Sequence, residues 1–251
     1  MPYDPIKPRA RIGVIISSGN GLVEPEFRRY FPPDVEPYAT RVRMRREYRR
    51  QFSFQDLVRE VVSAALALSD AHCDVIVVDC TGASMSGGVD GDQVFVRAIQ
   101  EATGIRTTTA AIAIASALRA LSVKRLVLVT KDDDAHLNEA AYLTQAGFEV
   151  VGGHGAGIDS PAHGYAMPSE FWYDATVACR SERADGYFIS CTNVRAIGAV
   201  EPLEKALRRP VITSNQAVLW HALRVAGVGD PIDGIGALLK LDSPQPALLP
   251  A

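Results

Sequence analysis

One short pattern occurs twice in this chain and limits what the chain can fold into. The first copy is Asp74-Val75-Ile76-Val77-Val78-Asp79-Cys80-Thr81-Gly82; the second is Asp185-Gly186-Tyr187-Phe188-Ile189-Ser190-Cys191-Thr192-Asn193. Each begins on an acid, runs through a short apolar segment and ends in Cys-Thr. A short apolar run bounded by turn signals reads as a buried strand. Each thiol therefore falls where a strand gives way to a loop, the place where open α/β sheets present reactive groups.

The correspondence extends beyond these copies. Arg11 to Ser17 is a buried strand, and Arg125 to Thr130 mirrors it. Ser17 precedes Cys80 by 63 positions and Thr130 precedes Cys191 by 61. Short strands then end at Thr109 and Thr213. A further short strand is expected over Val35 to Val42. Helical patterns lie between: Phe54 to Leu68, Asp92 to Thr103, Ala110 to Leu121, His136 to Ala146, Pro168 to Ser181, Val200 to Leu207 and Gln216 to Ala226. Alternating strands and helices imply parallel sheets joined by right-handed crossovers. A period near a hundred residues is too long for a solenoid. The expectation is an α/β fold of two similar parallel-sheet domains related by pseudo-twofold symmetry, with the active site in the cleft between them. Residues 1–121 form the first half, completed by 214–251, and 122–213 form the second.

Composition narrows the function classes. At 47% hydrophobic and 22% charged residues the chain reads as globular, and a formal net charge of -3 carries no polyanion-binding signature. No apolar run reaches the length of a membrane span. The start, Met1-Pro2-Tyr3-Asp4-Pro5, has no signal-peptide core. The expectation is a cytoplasmic protein acting on neither nucleic acid nor membrane. The four cysteines, Cys73, Cys80, Cys179 and Cys191, form no zinc-type spacing and are expected as thiols. Cys73 and Cys179 read as small buried hydrophobes.

Two facing halves bring Ser17 and Asn20, Cys80 and Thr81, Thr130, and Cys191 and Thr192 around one cleft. Thr81, Gly82, Ser84, Thr192 and Asn193 are placed to hold carboxylates and developing enolate charge. The stretch from Thr81 to Gly88 reads as a small-residue loop able to turn N–H groups toward an anion. Asp132, Asp133 and Asp134 read as caps of the following helix. Gly153 to Met167 is the longest irregular stretch, of the kind that forms lids. Arg41 to Arg50 reads as a solvated face, with one arginine able to reach an acidic substrate. No histidine lies in a relay with either Cys80 or Cys191. A thiol pair across a cleft can move a proton between two faces of a carbon, or add to an alkene, allow rotation and eliminate.

These residues resemble the aspartate/glutamate racemase superfamily, in its branch of maleate cis-trans isomerases and arylmalonate decarboxylases. The resemblance runs from Arg11 to Ala226. It rests on Ser17-Ser18-Gly19-Asn20 with Glu24, on Asp79-Cys80-Thr81-Gly82, on Ser190-Cys191-Thr192-Asn193-Val194-Arg195-Ala196, and on Pro210-Val211-Ile212-Thr213-Ser214-Asn215-Gln216-Ala217 before Trp220. It implies Cys80 as nucleophile, Cys191 as acid/base, Asn20 as a carboxylate-binding amide, no cofactor, a small carboxylate substrate and a homo-oligomer. The decarboxylases carry Gly in place of the first thiol, so Cys80 favours an isomerase or racemase. Gly21-Leu22-Val23-Glu24-Pro25-Glu26 is decarboxylase-like, which keeps decarboxylation with Cys191 as proton donor as an alternative. A non-catalytic small-acid-binding protein is a third. Where the branch carries Tyr after the strand matching Arg125 to Thr130, this chain reads Lys131-Asp132. An acid there is expected to repel a substrate carboxylate unless it is protonated or paired with Lys131, and it suits a substrate with an amine or amide on that side rather than maleate.

Overall fold

Residues 7–44 and 53–241 are described in the computed structural model. The strands are β1 (Ala10–Ser17), β2 (Val35–Val42), β3 (Val75–Asp79), β4 (Arg106–Thr109), β5 (Arg125–Thr130), β6 (Glu149–Gly155), β7 (Gly186–Ile189) and β8 (Val211–Thr213). They form two four-stranded sheets, ordered β2-β1-β3-β4 and β6-β5-β7-β8. Every pairing is parallel. The second sheet thus repeats the strand order of the first, as the sequence repeat requires.

The helices are α1 (Val23–Tyr30), α2 (Phe54–Asp70), α3 (Thr81–Met85), α4 (Gly88–Thr103), α5 (Ala110–Ala120), α6 (Asp133–Gln145), α7 (Pro161–Ala166), α8 (Ser169–Val177), α9 (Val200–Leu207) and α10 (Ser214–Val225). The matched threonines at the ends of β4 and β8 are helix N-caps. Thr109 accepts the Ile112 amide at 3.1 Å and Thr213 accepts the Gln216 amide at 3.2 Å. Each strand therefore passes directly into a helix, because the threonine hydroxyl satisfies an amide that the first helical turn leaves open.

Those two helices, α5 and α10, lie within one core with β1, β3, β5, α1 and α6. All twelve residues of α10 are buried. The alanine-rich α5 suits this position, since small side chains let packed helices approach closely. Two outer cores flank the central one. Leu57, Val61, Phe95 and Ile99 of α2 and α4 cover one face of the first sheet. Trp172, Leu203 and Leu207 of α8 and α9 cover the second. Asp92 on α4 joins the halves by accepting hydrogen bonds from Thr109 and from the Tyr142 hydroxyl of α6.

Several element expectations need correction. Thr81 to Met85 is helix rather than loop, since the Ala83 and Ser84 amides both reach the Cys80 carbonyl. The following helix begins at Gly88, not Asp92. The stretch from Gly153 to Met167 is not irregular throughout: β6 continues to Gly155, and residues 161–166 form α7, capped by Ser160. The helix expected over Pro168 to Ser181 ends at Val177. Residues 45–50 of the arginine-rich stretch lie outside the described residues.

Candidate functional site

Both thiols stand just beyond the C-terminal end of a strand. Cys80 follows β3 and is the N-cap residue of α3, with an extended backbone at φ -151°. Cys191 stands two residues beyond Ile189, the end of β7, with φ at +119°. A β-carbon is disfavoured in that region, and a residue held there stores roughly 1–3 kcal/mol of strain. The matched cysteines therefore leave their strands in different directions. Each is half-buried and packs against the outer core of its own half.

The residues preceding the thiols are alike in a second way. Asp79 and Ser190 are fully buried; the Asp79 carboxylate oxygens have no hydrogen-bond partner, and the Ser190 hydroxyl faces the Glu139 carboxyl. Each also has a buried glutamate in its vicinity. Glu26 on α1 and Glu139 on α6 each lie nine residues after the last residue of the first strand of their half. Burial pushes Glu26 and Glu139 up to about 7 and Asp79 up to about 8, with Glu26 adding to the Asp79 shift.

The loops around the thiols are tied across the halves. The Asn20 amide donates to the Thr192 carbonyl at 3.0 Å and to its hydroxyl at 3.1 Å, while its own oxygen accepts the Leu22 and Val23 amides. The Gly21 amide donates to Asn193 Oδ1 at 2.9 Å. The Thr81 hydroxyl donates to Ser214 Oγ at 3.0 Å, and the same oxygen accepts the Cys191 amide at 3.0 Å. Asn215 donates to Glu26 and, at 3.1 Å, to the Thr192 carbonyl. Arg41 pairs with Glu24 and donates to the Ser18 and Asn20 carbonyls. It holds the first loop in place instead of standing open to a substrate.

Around Cys191 the electrostatics favour the neutral thiol. Burial pushes it up to about 12; the Asn193 amide, 3.4 Å from Sγ, and Lys131 oppose this, while Glu139 and Cys80 add to it. At neutral pH this sulfur carries its proton. Lys131 lies at the end of β5 and pairs with Asp132. Burial works against its charge, yet Asp132, Cys191 and Glu139 together raise it above the ordinary lysine value.

The structure brings together Asn20, Thr192 and Asn193 in direct contact, and links Thr81 to Cys191 through Ser214. Ser17 ends β1 and is half-buried, with its carbonyl taken by the Asn20 amide. Gly82 follows Thr81 on the exposed side of α3, and a β-carbon added there would meet only open space. Thr130 is fully buried and its hydroxyl donates to the Asp132 carbonyl at 2.8 Å. Asp132 caps α6 through the Ala135 amide at 2.7 Å, as expected of an acid there. Gly155 permits that arrangement, since a β-carbon would lie 2.2 Å from the Asp132 carbonyl carbon. The expected lid segment is anchored: Ala156 and Ile158 donate to the Thr130 and Lys131 carbonyls, and Asn193 donates to the Pro161 carbonyl.

Sequence reasoning gave no role to Ser214, Asn215, Glu26 or Glu139. The equal spacing of the two glutamates was a signal; Ser214 and Asn215 stood within a motif of the resemblance but were given no role of their own. Cys179 is not a plain core residue either, since its sulfur lies 2.9 Å from His154 Nδ1. None of the four cysteines forms a disulfide.

Comparison with known proteins agrees with this geometry. An arylmalonate decarboxylase of Bordetella bronchiseptica is 28% identical over 221 residues, covering 87% of this chain and 91% of its own. A maleate isomerase of Nocardia farcinica is 27% identical over 244 residues, covering 93% and 96%. The structure of unliganded arylmalonate decarboxylase superposes with a TM-score of 0.83 at 27% identity, over 92% of this chain and 98% of that one. The relatives are thus enzymes with this same fold. The family model described as arylmalonate decarboxylase matches residues 12–239, and the chain belongs to that family.

Proposed function

We propose that this protein is a cofactor-independent isomerase of a small unsaturated carboxylic acid, with Cys80 as nucleophile and Cys191 as acid/base. The observation that carries the reading is the presence of both thiols at corresponding strand ends, linked through Thr81, Ser214 and the Cys191 amide. Burial of Cys191 supplies the second half of the argument, because a sulfur that holds its proton at neutral pH is a donor.

The steps balance as follows. Cys80, as thiolate, forms a C–S bond to one alkene carbon, and the π pair moves to the neighbouring carbon. The adjacent carboxylate spreads that charge, and the Cys191 thiol delivers its proton to the carbon. Rotation about the new single bond follows. Cys191 then takes the proton back, the double bond re-forms with the other geometry, and the C–S bond breaks. A Nocardia farcinica maleate cis-trans isomerase has been solved with a covalently bound succinylcysteine intermediate, the species such a sequence passes through. Thr81, Gly82, Thr192 and Asn193, with Ser17, Asn20, Thr130 and Asp132 behind them, are the residues we assign to the carboxylate-binding loops. The test is conversion of maleate to its trans isomer by the purified chain. Cys80→Ala and Cys191→Ala are each expected to lower turnover by about a hundredfold or more. Near-full activity in either variant overturns the assignment.

A second reading has its own support. The family model bears the decarboxylase name, and a protonated Cys191 alone suffices to deliver a proton to the enediolate left when a disubstituted malonate loses carbon dioxide. Carbon dioxide release from 2-methyl-2-phenylmalonate that survives Cys80→Ala selects this reading over the first.

A further inference from the structure

Lys131 and Cys191 stand just beyond the ends of β5 and β7, two adjacent strands of the second sheet, and each is close enough to shift the other's charge. In that sheet Val129 pairs with Ile189, and the Ser190 amide donates to the Val129 carbonyl at 2.8 Å. Lys131 and Cys191 each lie two residues beyond that pair, on the segments that leave these neighbouring strands. In the first sheet the last pair is Ile16 with Asp79, so one step further sets Ser17 against Cys80. The two thiols therefore differ in their neighbours: a hydroxyl residue beside one and an ammonium beside the other.

We propose that Lys131 is the carboxylate-receiving cation of the cleft, binding one carboxylate of an anionic substrate beside Cys191, with Asp132 and Glu139 positioning it. The inference rests on the reading that the substrate is a small carboxylic acid. Asp132 does not cancel the ammonium. One of its oxygens accepts the Ala135 amide, so the carboxylate sits at the positive end of the 13-residue α6, and the helix offsets part of its charge. An ammonium has three N–H donors and Asp132 occupies one. The Lys131 side chain remains 45% exposed, within reach of a ligand. Its backbone is held by the Ile158 amide at 2.7 Å, which fixes the direction from which the side chain leaves. Glu139, 4% exposed, faces the Ser190 hydroxyl and lies near enough to Lys131 for each to favour the other's charge. On the opposite half, Arg41 is committed to Glu24 and two loop carbonyls. The acid expected to repel a substrate carboxylate thus serves as the support of a cation that attracts one.

The test reads charge at Cys191 directly and needs no turnover, so its result stands apart from whether the chain isomerises any acid. Alkylation of Cys191 by anionic iodoacetate and by neutral iodoacetamide is followed by peptide mass spectrometry in the parent, Lys131→Met, Lys131→Gln and Lys131→Arg proteins. The iodoacetate-to-iodoacetamide rate ratio is expected to fall roughly fivefold or more in the Met and Gln variants, the effect of one unit charge a few ångströms from the sulfur even at the dielectric of water. It stays near the parental value in the Arg variant. Succinate, a dicarboxylate with no double bond to isomerise, is expected to protect Cys191 from iodoacetamide in the parent and to lose that protection in the Met and Gln variants. Equal ratios in parent and folded Met or Gln protein, or succinate protection undiminished without Lys131, overturn the proposal.

Discussion

The Ser214 hydroxyl oxygen accepts the Cys191 amide at 3.0 Å. Because the same oxygen receives the Thr81 hydroxyl, one atom fixes the backbone of the second thiol and the residue following the first. Ser214 is also the first residue of α10, the wholly buried helix of the central core. Replacing it with alanine leaves a buried amide and a buried hydroxyl without partners. Ser214→Ala is expected to lower stability by about 1–3 kcal/mol, measured as a shift in urea midpoint. Turnover should fall further than stability explains, because both thiol loops lose their shared anchor.

The backbone of Cys191 makes a second prediction that distinguishes it from Cys80. At φ +119° a glycine is freer than any L-residue. Cys191→Gly is expected to be more stable than Cys191→Ala by about 1 kcal/mol. At position 80, where φ is -151°, glycine has no such advantage and costs conformational entropy, so Cys80→Gly should be less stable than Cys80→Ala. Paired thermal melts of the four variants check this. Equal stability of the two position-191 variants contradicts the strain.

Stability should fall as pH rises through neutrality. Glu26, Asp92 and Glu139 stand at about 7 and Asp79 at about 8, all raised chiefly by burial. A carboxyl raised in the folded state is still protonated when its unfolded counterpart has ionised. Its contribution is therefore fully present below the ordinary carboxylate range and is lost as pH climbs to 7 and 8. Two groups oppose this at the acid end. His221, lowered by burial to about 4, contributes stability that is lost as pH falls from the ordinary histidine value through 4. Asp185, lowered to about 2 by Arg125, loses its contribution as pH falls from the ordinary aspartate value through 2. Urea unfolding is expected to show highest stability near pH 4 and a decline from there to about pH 8, where it levels off. The slope approaches about 1.4 kcal/mol per pH unit for each proton released. Asp79→Asn should flatten that decline, and an unchanged slope contradicts the assignment of Asp79.

Much of this was legible in the sequence, for reasons that particular residues make plain. Val75–Asp79 and Gly186–Ile189 are short apolar runs that only a covered strand can bury, and each ends beside a cysteine. That the two sheets share one strand order follows from that repeat. Asp132 was legible as a cap because an acid one residue before a helix has one favoured use. The helix at Thr81 to Met85 was not legible, because small hydroxyl residues suit a loop equally well. Nor was the convergence on Ser214, whose partners lie 133 and 23 residues away in sequence. Asn20 was expected to face substrate; the structure aligns its amide with Thr192, a contact 172 residues away that no local pattern encodes.

The central claim is that Cys80 adds to the substrate while Cys191 supplies and recovers the proton. Its most direct test is the mass of the chain after incubation of Cys191→Ser with maleate, with the modified residue located by peptide mapping. The account predicts a thioether adduct of the intact acid on Cys80, absent from the Cys80→Ala, Cys191→Ser double variant. Turnover of maleate by the parent with no adduct on Cys80 in the single variant, under conditions where Cys80 remains open to alkylation, would contradict it.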